Sequence, residues 1–248
     1  MYLKLIACNV LLREIYREVA TSPHTFDLYF TEKGDHEKSD RLRAIIEGEI
    51  QKAEESGKLY DAILLGYGLC GNATVGLGSS KFSLVLPRAH DCCTLFLGSK
   101  QKFQELFASN PSRPFATPGY MERSADTFQT TSTRQFLGLD KSYDEYVALY
   151  GEENAQYIME TLSPKTKDDT MIVYIAMPGT ESLGWEDKCR REAQREGKGF
   201  LRVEGDPRLI HKLIHGEWDS EEFLIVPRGQ KIAPVYDWEE VVTFKAQL

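Results

Sequence analysis

Three of the five cysteines stand just past apolar runs. Cys8 follows Leu3-Lys4-Leu5-Ile6-Ala7. Cys70 follows Ala62-Ile63-Leu64-Leu65 and a glycine-rich turn, and Cys92 follows Leu84-Val85-Leu86-Pro87-Arg88-Ala89-His90-Asp91. Each run reads as a buried strand, so each thiol is expected at a strand's C-terminal end, the edge where open α/β sheets bind ligands. His90 adds an imidazole beside Cys92. Thiolate and imidazole donors together suit zinc, and three thiolates with an open position suit an iron–sulfur cluster. Asp91 reads as a helix N-cap, which places Cys92 in a first helical turn where the positive helix end favours thiolate. The adjacent Cys93 must point elsewhere, so Cys92 is taken as the ligand. The competing reading makes both small buried hydrophobes. Cys189, on a charged helical pattern, is read as incidental.

Gly66, Gly68 and Gly71 match G-x-G-x-x-G. No amphipathic helix opens there, and no acidic residue follows a second strand at the distance a dinucleotide site requires. A phosphate loop is also excluded, because no Gly-Lys-Ser/Thr follows. Either the segment is a plain turn, or it lets backbone N–H groups and the Cys70 thiol approach a ligand; Gly66, Gly68, Gly71, Asn72 and Arg88 are then the cofactor-binding candidates. The turn Thr117-Pro118-Gly119-Tyr120-Met121-Glu122 presents Tyr120 and Glu122 as acid/base candidates, Glu122 also as a further metal ligand. His24, His36, His211 and His215 have no metal spacing with any cysteine. His211 and His215 stand four apart on one helical pattern with no nearby glutamate, as on an ordinary helical face.

The elements that must position these groups alternate. Leu3–Ala7, Phe26–Phe30, Ala62–Leu65 and Leu84–Leu86 read as strands. Val10–Ala20, Ser39–Glu55 and Asp91 to about Phe107 read as helices with one apolar face. Alternation of this kind implies parallel pairing through right-handed crossovers. Residues 1–110 form an N-terminal α/β half carrying the Cys/His motifs. Residues 111–169 form a mainly helical connection, with a polar stretch over Thr127–Gln135 and helical patterns over Tyr143–Tyr150 and Glu153–Leu162. Residues 170–248 resume α/β, with strands at Met171–Ala176, Phe200–Val203 and Phe223–Val226 and helices at Trp185–Glu196 and from Asp206-Pro207 to His215. Leu84–Arg88 echoes Leu224–Arg228, which suggests two similar halves. The expected fold is α/β: a mainly parallel, Rossmann-like sheet flanked by helices.

With 248 residues and 42% hydrophobic residues the chain can bury a sizeable core. The net charge of −8 argues against a nucleic-acid surface. No apolar stretch reaches the roughly 18–20 residues needed to span a membrane. Leu5-Ile6-Ala7-Cys8 mimics a lipoprotein box, but the seven residues before Cys8 leave no room for a signal peptide. A cytoplasmic protein is expected, in which clustered cysteines bind metal or catalyse rather than pair.

Ile6-Ala7-Cys8, Asp61–Asn72, Pro87–Cys92 and Pro118–Glu122 together resemble domain-of-unknown-function family sixteen thirty-eight. The resemblance is strong over the first half, where Gly-Tyr-Gly-Leu-Cys-Gly and His-Asp-Cys carry it. The Cys92-Cys93 doublet departs from the pattern, which has an aliphatic residue at the second place. Members are bacterial and archaeal, often anaerobic, and frequently encoded beside corrinoid-dependent methyltransferases. The resemblance therefore implies one-carbon metabolism, with a corrinoid, a corrinoid protein or a methyltransferase as partner, and supplies no reaction.

Three functions follow as expectations. The first is a metal site of Cys8, Cys70, Cys92 and His90, with Glu122 nearby, holding zinc or an iron–sulfur cluster and serving methyl transfer. The second is a binding module for a corrinoid, tetrapyrrole or small anion, with Arg88 and Arg228 pairing with carboxylates. The third is metal-free thiol catalysis by Cys92.

Overall fold

A computed structural model describes residues 1–37, 39–108, 113–123, 171–235 and 240–246, with isolated positions 143, 144, 147, 151, 152 and 156. Thr127–Gln135 lies outside the described residues, as do the patterns at Tyr143–Tyr150 and Glu153–Leu162 apart from Tyr143, Asp144, Val147 and Gln156, which are helical.

The fold is mixed α/β with a mostly parallel central sheet. Strands β1 (Tyr2–Cys8), β2 (Thr25–Thr31), β3 (Ala62–Gly66) and β4 (Leu84–Pro87) pair in the order β2-β1-β3-β4, all parallel. The apolar runs are strands because both sheet faces are covered: β3 and β4 are buried at every position. Helix α1 (Leu12–Thr21) links β1 to β2, and α2 (Ser39–Glu55) carries the chain back past β1 to β3. These crossovers run in opposite directions across the sheet, so right-handed connections place α1 and α2 on opposite faces. Strand order therefore reverses at β1, between the ends that carry Cys8 and Gly66.

Three findings differ from the sequence expectations. The helix expected from Asp91 to about Phe107 is two helices, α3 (Cys92–Leu97) and α4 (Lys100–Phe107). Gly98 adopts φ +69° and Ser99 caps anew by accepting a hydrogen bond from the Lys102 N–H. A Cβ at Gly98 would meet the Asp206 carbonyl oxygen at 2.6 Å, so the break also seats the chain entering the last helix. Second, Pro118–Glu122, read as a turn, is a short helix, α5, capped by Thr117. Third, an antiparallel hairpin follows β8 (Phe223–Val226), formed by β9 (Gln230–Pro234) and β10 (Val242–Ala246).

Strand β5 (Phe115–Ala116) joins β6 (Met171–Ala176) and β7 (Gly199–Glu204) in a separate three-stranded parallel sheet covered by α6 (Trp185–Arg195). Helix α7 (Arg208–His215) then packs on α1, β3 and β4, and β8 (Phe223–Val226) closes the central sheet antiparallel to β4. The two segments of the sequence echo thus lie side by side, with Leu84 opposite Val226 and Leu86 opposite Leu224. One core cluster unites residues of β1, β3, β4, α3 and α7, and a smaller one contains Cys189. No helix among the described residues is long and apolar enough to cross a membrane.

Candidate metal centre

Four adjacent strand ends feed one buried region. β1 delivers Cys8 and Asn9, β2 delivers Thr31 and then Lys33, β3 leads through Tyr67 to Cys70, and β4 leads to Asp91 and Cys92. The three thiols are 2%, 3% and 2% exposed. They act on one another electrostatically: charge on Cys8 or Cys70 raises the pKa of Cys92, and charge on Cys8 raises that of Cys70. Lys33 lies in the field of Cys8 and Cys92, and its ammonium sits 4.9 Å from the centre of the Tyr120 ring. The Tyr120 hydroxyl is 2.8 Å from Cys92 Sγ, and the Tyr67 hydroxyl is 2.8 Å from Thr31 Oγ1. Asn9 Nδ2 donates to Glu32 (2.6 Å), while its Oδ1 is buried without a hydrogen-bond partner.

Cys70, Gly71 and Asn72 form a left-handed turn with φ of +50°, +61° and +67°. Its carbonyls are held from two sides. Ser39 and Arg43 of α2 donate to the Gly71 and Asn72 oxygens, and Thr74 donates to Gly68. The turn also rests on the next strand's loop, through Leu69 N–H to Ala89 O (2.8 Å) and Cys70 N–H to His90 O (2.9 Å). A non-glycine residue in this conformation costs about 1–2 kcal/mol. Cys70→Gly is accordingly expected to be about 1 kcal/mol more stable than Cys70→Ala in urea unfolding; equal stabilities would mean that the turn carries no strain at this position.

The glycines serve packing. A Cβ at Gly66 would lie 2.6 Å from the Ala7 Cβ, and one at Gly68 would lie 2.6 Å from Ala89 O and 2.7 Å from Asp91 N. The space they leave is filled by the protein's own chain. Arg88 is likewise occupied, donating to the carbonyls of Ser220, Glu240 and Val242. Arg228 is exposed past the end of β8, so the antiparallel pairing with β4 sends the two arginines to opposite sheet edges. They do not form the expected anion clasp.

Asp91 caps α3 as expected, its Oδ1 accepting from Thr94 N–H at 3.3 Å. The thiolate expected at Cys92 is not favoured. Burial pushes this thiol well up, and the charges of Asp91, Cys70 and Cys8 add to it, outweighing the Tyr120 hydrogen bond. A helix end contributes typically 0.3–1 kcal/mol, and α3 has only six residues, so burial wins. Burial also pushes Cys8 up to about 12 and Cys70 upward. In the protein alone all three are thiols.

The His90 ring stacks on Phe103 of α4 at 5.6 Å, and burial, then the Lys100 charge, lowers its pKa. The Cys8–Cys70–Cys92 set is coupled instead to Lys33, Tyr67 and Tyr120. Glu122 is held by Arg13, whose Nε donates to both carboxylate oxygens (2.7 and 2.9 Å), and by Trp185 Nε1 at 3.2 Å. It ties α5 to α1 and α6.

The model of the family described as "Protein of unknown function (DUF1638)" matches residues 30–214. The chain belongs to this family. No curated protein and no solved structure matches it. The segment matched to DUF1638 contains Lys33, Tyr67, Cys70, Cys92 and Tyr120, while Cys8 precedes it.

Lys33 was legible in this DUF1638 sequence by the rule that located the cysteines, since it stands two residues past β2. Another cluster had no local signal. Glu18 of α1 joins His211 and His215 of α7, and among the described residues this is the triad whose ligand atoms all lie within 4.8 Å of one another. The glutamate missing near the two histidines comes from 193 positions away.

Proposed function

We propose that Cys8, Cys70 and Cys92 hold a metallocofactor at the C-terminal edge of the central sheet, an iron–sulfur cluster in preference to a single zinc ion. The observation that carries this reading is the arrival of three buried, mutually coupled thiols from three strand ends where strand order reverses. In a Rossmann-like sheet the crevice outside that reversal is the ligand position. The orphaned Asn9 Oδ1 beside Cys8 fits a centre that brings a partner. Zinc binds sulfur at about 2.3 Å, so two ligands of one ion stand at most about 4.6 Å apart. The three thiols are not such a set among the described residues, and a multi-iron centre accepts wider spacing.

Such a centre supplies electron transfer, or a Lewis-acid position at an iron without a cysteine. The chain's own residues would exclude water, release the thiol protons as metal binds, and offset the resulting charge with Lys33. Tyr120 would donate its hydroxyl proton toward Cys92 Sγ. The proposed setting is cytoplasmic, corrinoid-linked one-carbon metabolism, with a corrinoid protein or methyltransferase as partner. Five free cysteines accord with a reducing compartment.

The test is iron, zinc and acid-labile sulfide analysis of anaerobically purified protein beside the three Cys→Ser variants. Stoichiometric iron and sulfide with broad absorption near about 400 nm, lost in each variant, is expected. Less than about one-tenth of an iron per chain, or iron retained in all three variants, would sink the reading.

A further inference from the structure

The opposite edge of the same sheet carries a second set of donors. Helix α1 starts beside the cysteine region and ends near the N-terminal ends of the strands, just before β2. There Glu18 meets α7. Its Oε2 is 2.7 Å from His211 Nδ1 and 3.4 Å from His215 Nε2. The two imidazoles are stacked, with centroids 4.0 Å apart and planes at 21°.

Several observations point beyond an ordinary ion pair. His215 Nε2 is buried and makes no hydrogen bond, although a carboxylate oxygen lies 3.4 Å away. That separation is what two ligands on one tetrahedral ion show, since Zn–N and Zn–O bonds of about 2.0–2.1 Å span about 3.3 Å. The His pair is one helical turn apart on α7, α7 is anchored by buried Leu209, Ile210, Leu213 and Ile214, and metal would replace the proton in the 2.7 Å Glu18–His211 hydrogen bond. Supporting contacts are also present. Glu217 Oε1 stands 3.8 Å from His211 Nε2, the ring nitrogen facing away from Glu18, at ion-pair distance and beyond a direct hydrogen bond. His24 Nε2 lies 3.1 Å from the His215 carbonyl, which ties the end of α7 to the residue before β2. Glu18 and His215 side chains are 12% and 15% exposed, whereas His211 is 44% exposed, so one side of the triad opens to solvent.

We infer that Glu18, His211 and His215 form a zinc site that clamps α1 to α7, with water completing the shell on the open side. Two imidazoles and one carboxylate make a donor set that zinc accepts as three protein ligands plus one exchangeable position. The pair of histidines has the i, i+4 spacing of helical zinc sites, but the position after the first histidine is Lys212 rather than a glutamate base. Lys212 is itself engaged by Asp219 (2.8 Å) and Glu222 (2.6 Å). The site therefore holds elements together and is not built for peptide hydrolysis.

The test is zinc titration of chelator-stripped full-length protein against a chromophoric competitor, in wild type, Glu18→Gln, His215→Ala and the Cys8/Cys70/Cys92→Ser triple variant. One zinc per chain is expected in wild type and in the triple variant, with affinity weaker by about 100-fold or more in Glu18→Gln and His215→Ala. Cobalt substituted into the triple variant should give a visible tetrahedral spectrum without a thiolate charge-transfer band. Zinc should raise the thermal midpoint of wild type and leave that of Glu18→Gln unchanged. Circular dichroism of the two variants at low temperature establishes that they are folded. Unchanged affinity in both, or zinc binding lost only in the triple variant, would overturn the clamp. Loss of iron in the triple variant leaves this site unaffected, so the two assignments fail separately.

Discussion

Gly119→Ala is expected to destabilise the protein by about 3 kcal/mol or more and to detach Tyr120 from Cys92. A Cβ at Gly119 would stand 1.8 Å from the carbonyl oxygen of Val10 and 2.9 Å from its carbon. Both are backbone atoms of the 3-10 turn Asn9–Leu11 directly after Cys8, so no side-chain rotation relieves the clash. Either the turn or α5 must move. Helix α5 carries Tyr120, whose hydroxyl is 2.8 Å from Cys92 Sγ, and Glu122, which is clamped by Arg13 and Trp185. Urea unfolding should show the loss, and Cys92 should react faster with a thiol reagent in the folded variant. Gly48→Ala is the control. It lies inside α2 with nothing within 4 Å of its added carbon, and is expected to gain roughly 0.5–1 kcal/mol. Equal stabilities of the two variants would contradict the close approach of α5 to the Asn9–Leu11 turn.

Glu14→Gln is expected to stabilise the protein at alkaline pH and to leave it unchanged in acid. Glu14 is buried on α1, its Oε2 makes no hydrogen bond, and burial raises its pKa from 4.5 to about 7 against the pull of Arg17 and Arg13. A carboxyl raised in the folded state contributes stability that is complete below the unfolded value and is lost as pH rises through the folded one. The loss thus runs from about pH 4.5 to about pH 7 and amounts to about 3 kcal/mol above it. Glutamine keeps the shape and removes the titration. Unfolding midpoints of the two proteins should coincide near pH 4.5 and diverge, with the variant higher, by pH 8. Asp91, raised by burial to about 6, gives both proteins a further decline in the same direction. A constant difference across pH would mean that Glu14 does not titrate in this range.

Where strand and helix patterns lay wholly in local sequence, they were legible. Ser39–Glu55 and Phe223–Val226 coincide with the observed elements, and Ala62–Leu65 misses only Gly66. The break at Gly98-Ser99 had its signal in the residues, a left-handed glycine followed by a capping serine. The apolar face shared by Leu95, Phe96, Phe103 and Leu106 hid it. The direction of β8 was not legible, because the wholly apolar run Phe223–Val226 reads the same whether it pairs parallel or antiparallel.

The site divides in the same way. Strand-end position located the three cysteines. Side-chain contacts were beyond it: the stacking of the His90 ring on Phe103 has no local signal. The thiolate expectation failed because helix position is visible in sequence and burial is not. The Glu18 triad was invisible because its members meet only when α1 packs on α7.

The antiparallel seam between β4 and β8 bears on biosynthesis. The edge of β4 is completed only by a strand about 140 residues further along the chain. At a translation rate of about 5–20 residues per second, the nascent protein carries that edge open for on the order of ten seconds. An exposed, wholly apolar strand edge is a template for pairing with other chains. Arrested synthesis before residue 223 should therefore yield chains that depend on chaperones, and a fragment ending near residue 110 should aggregate where the full-length chain does not.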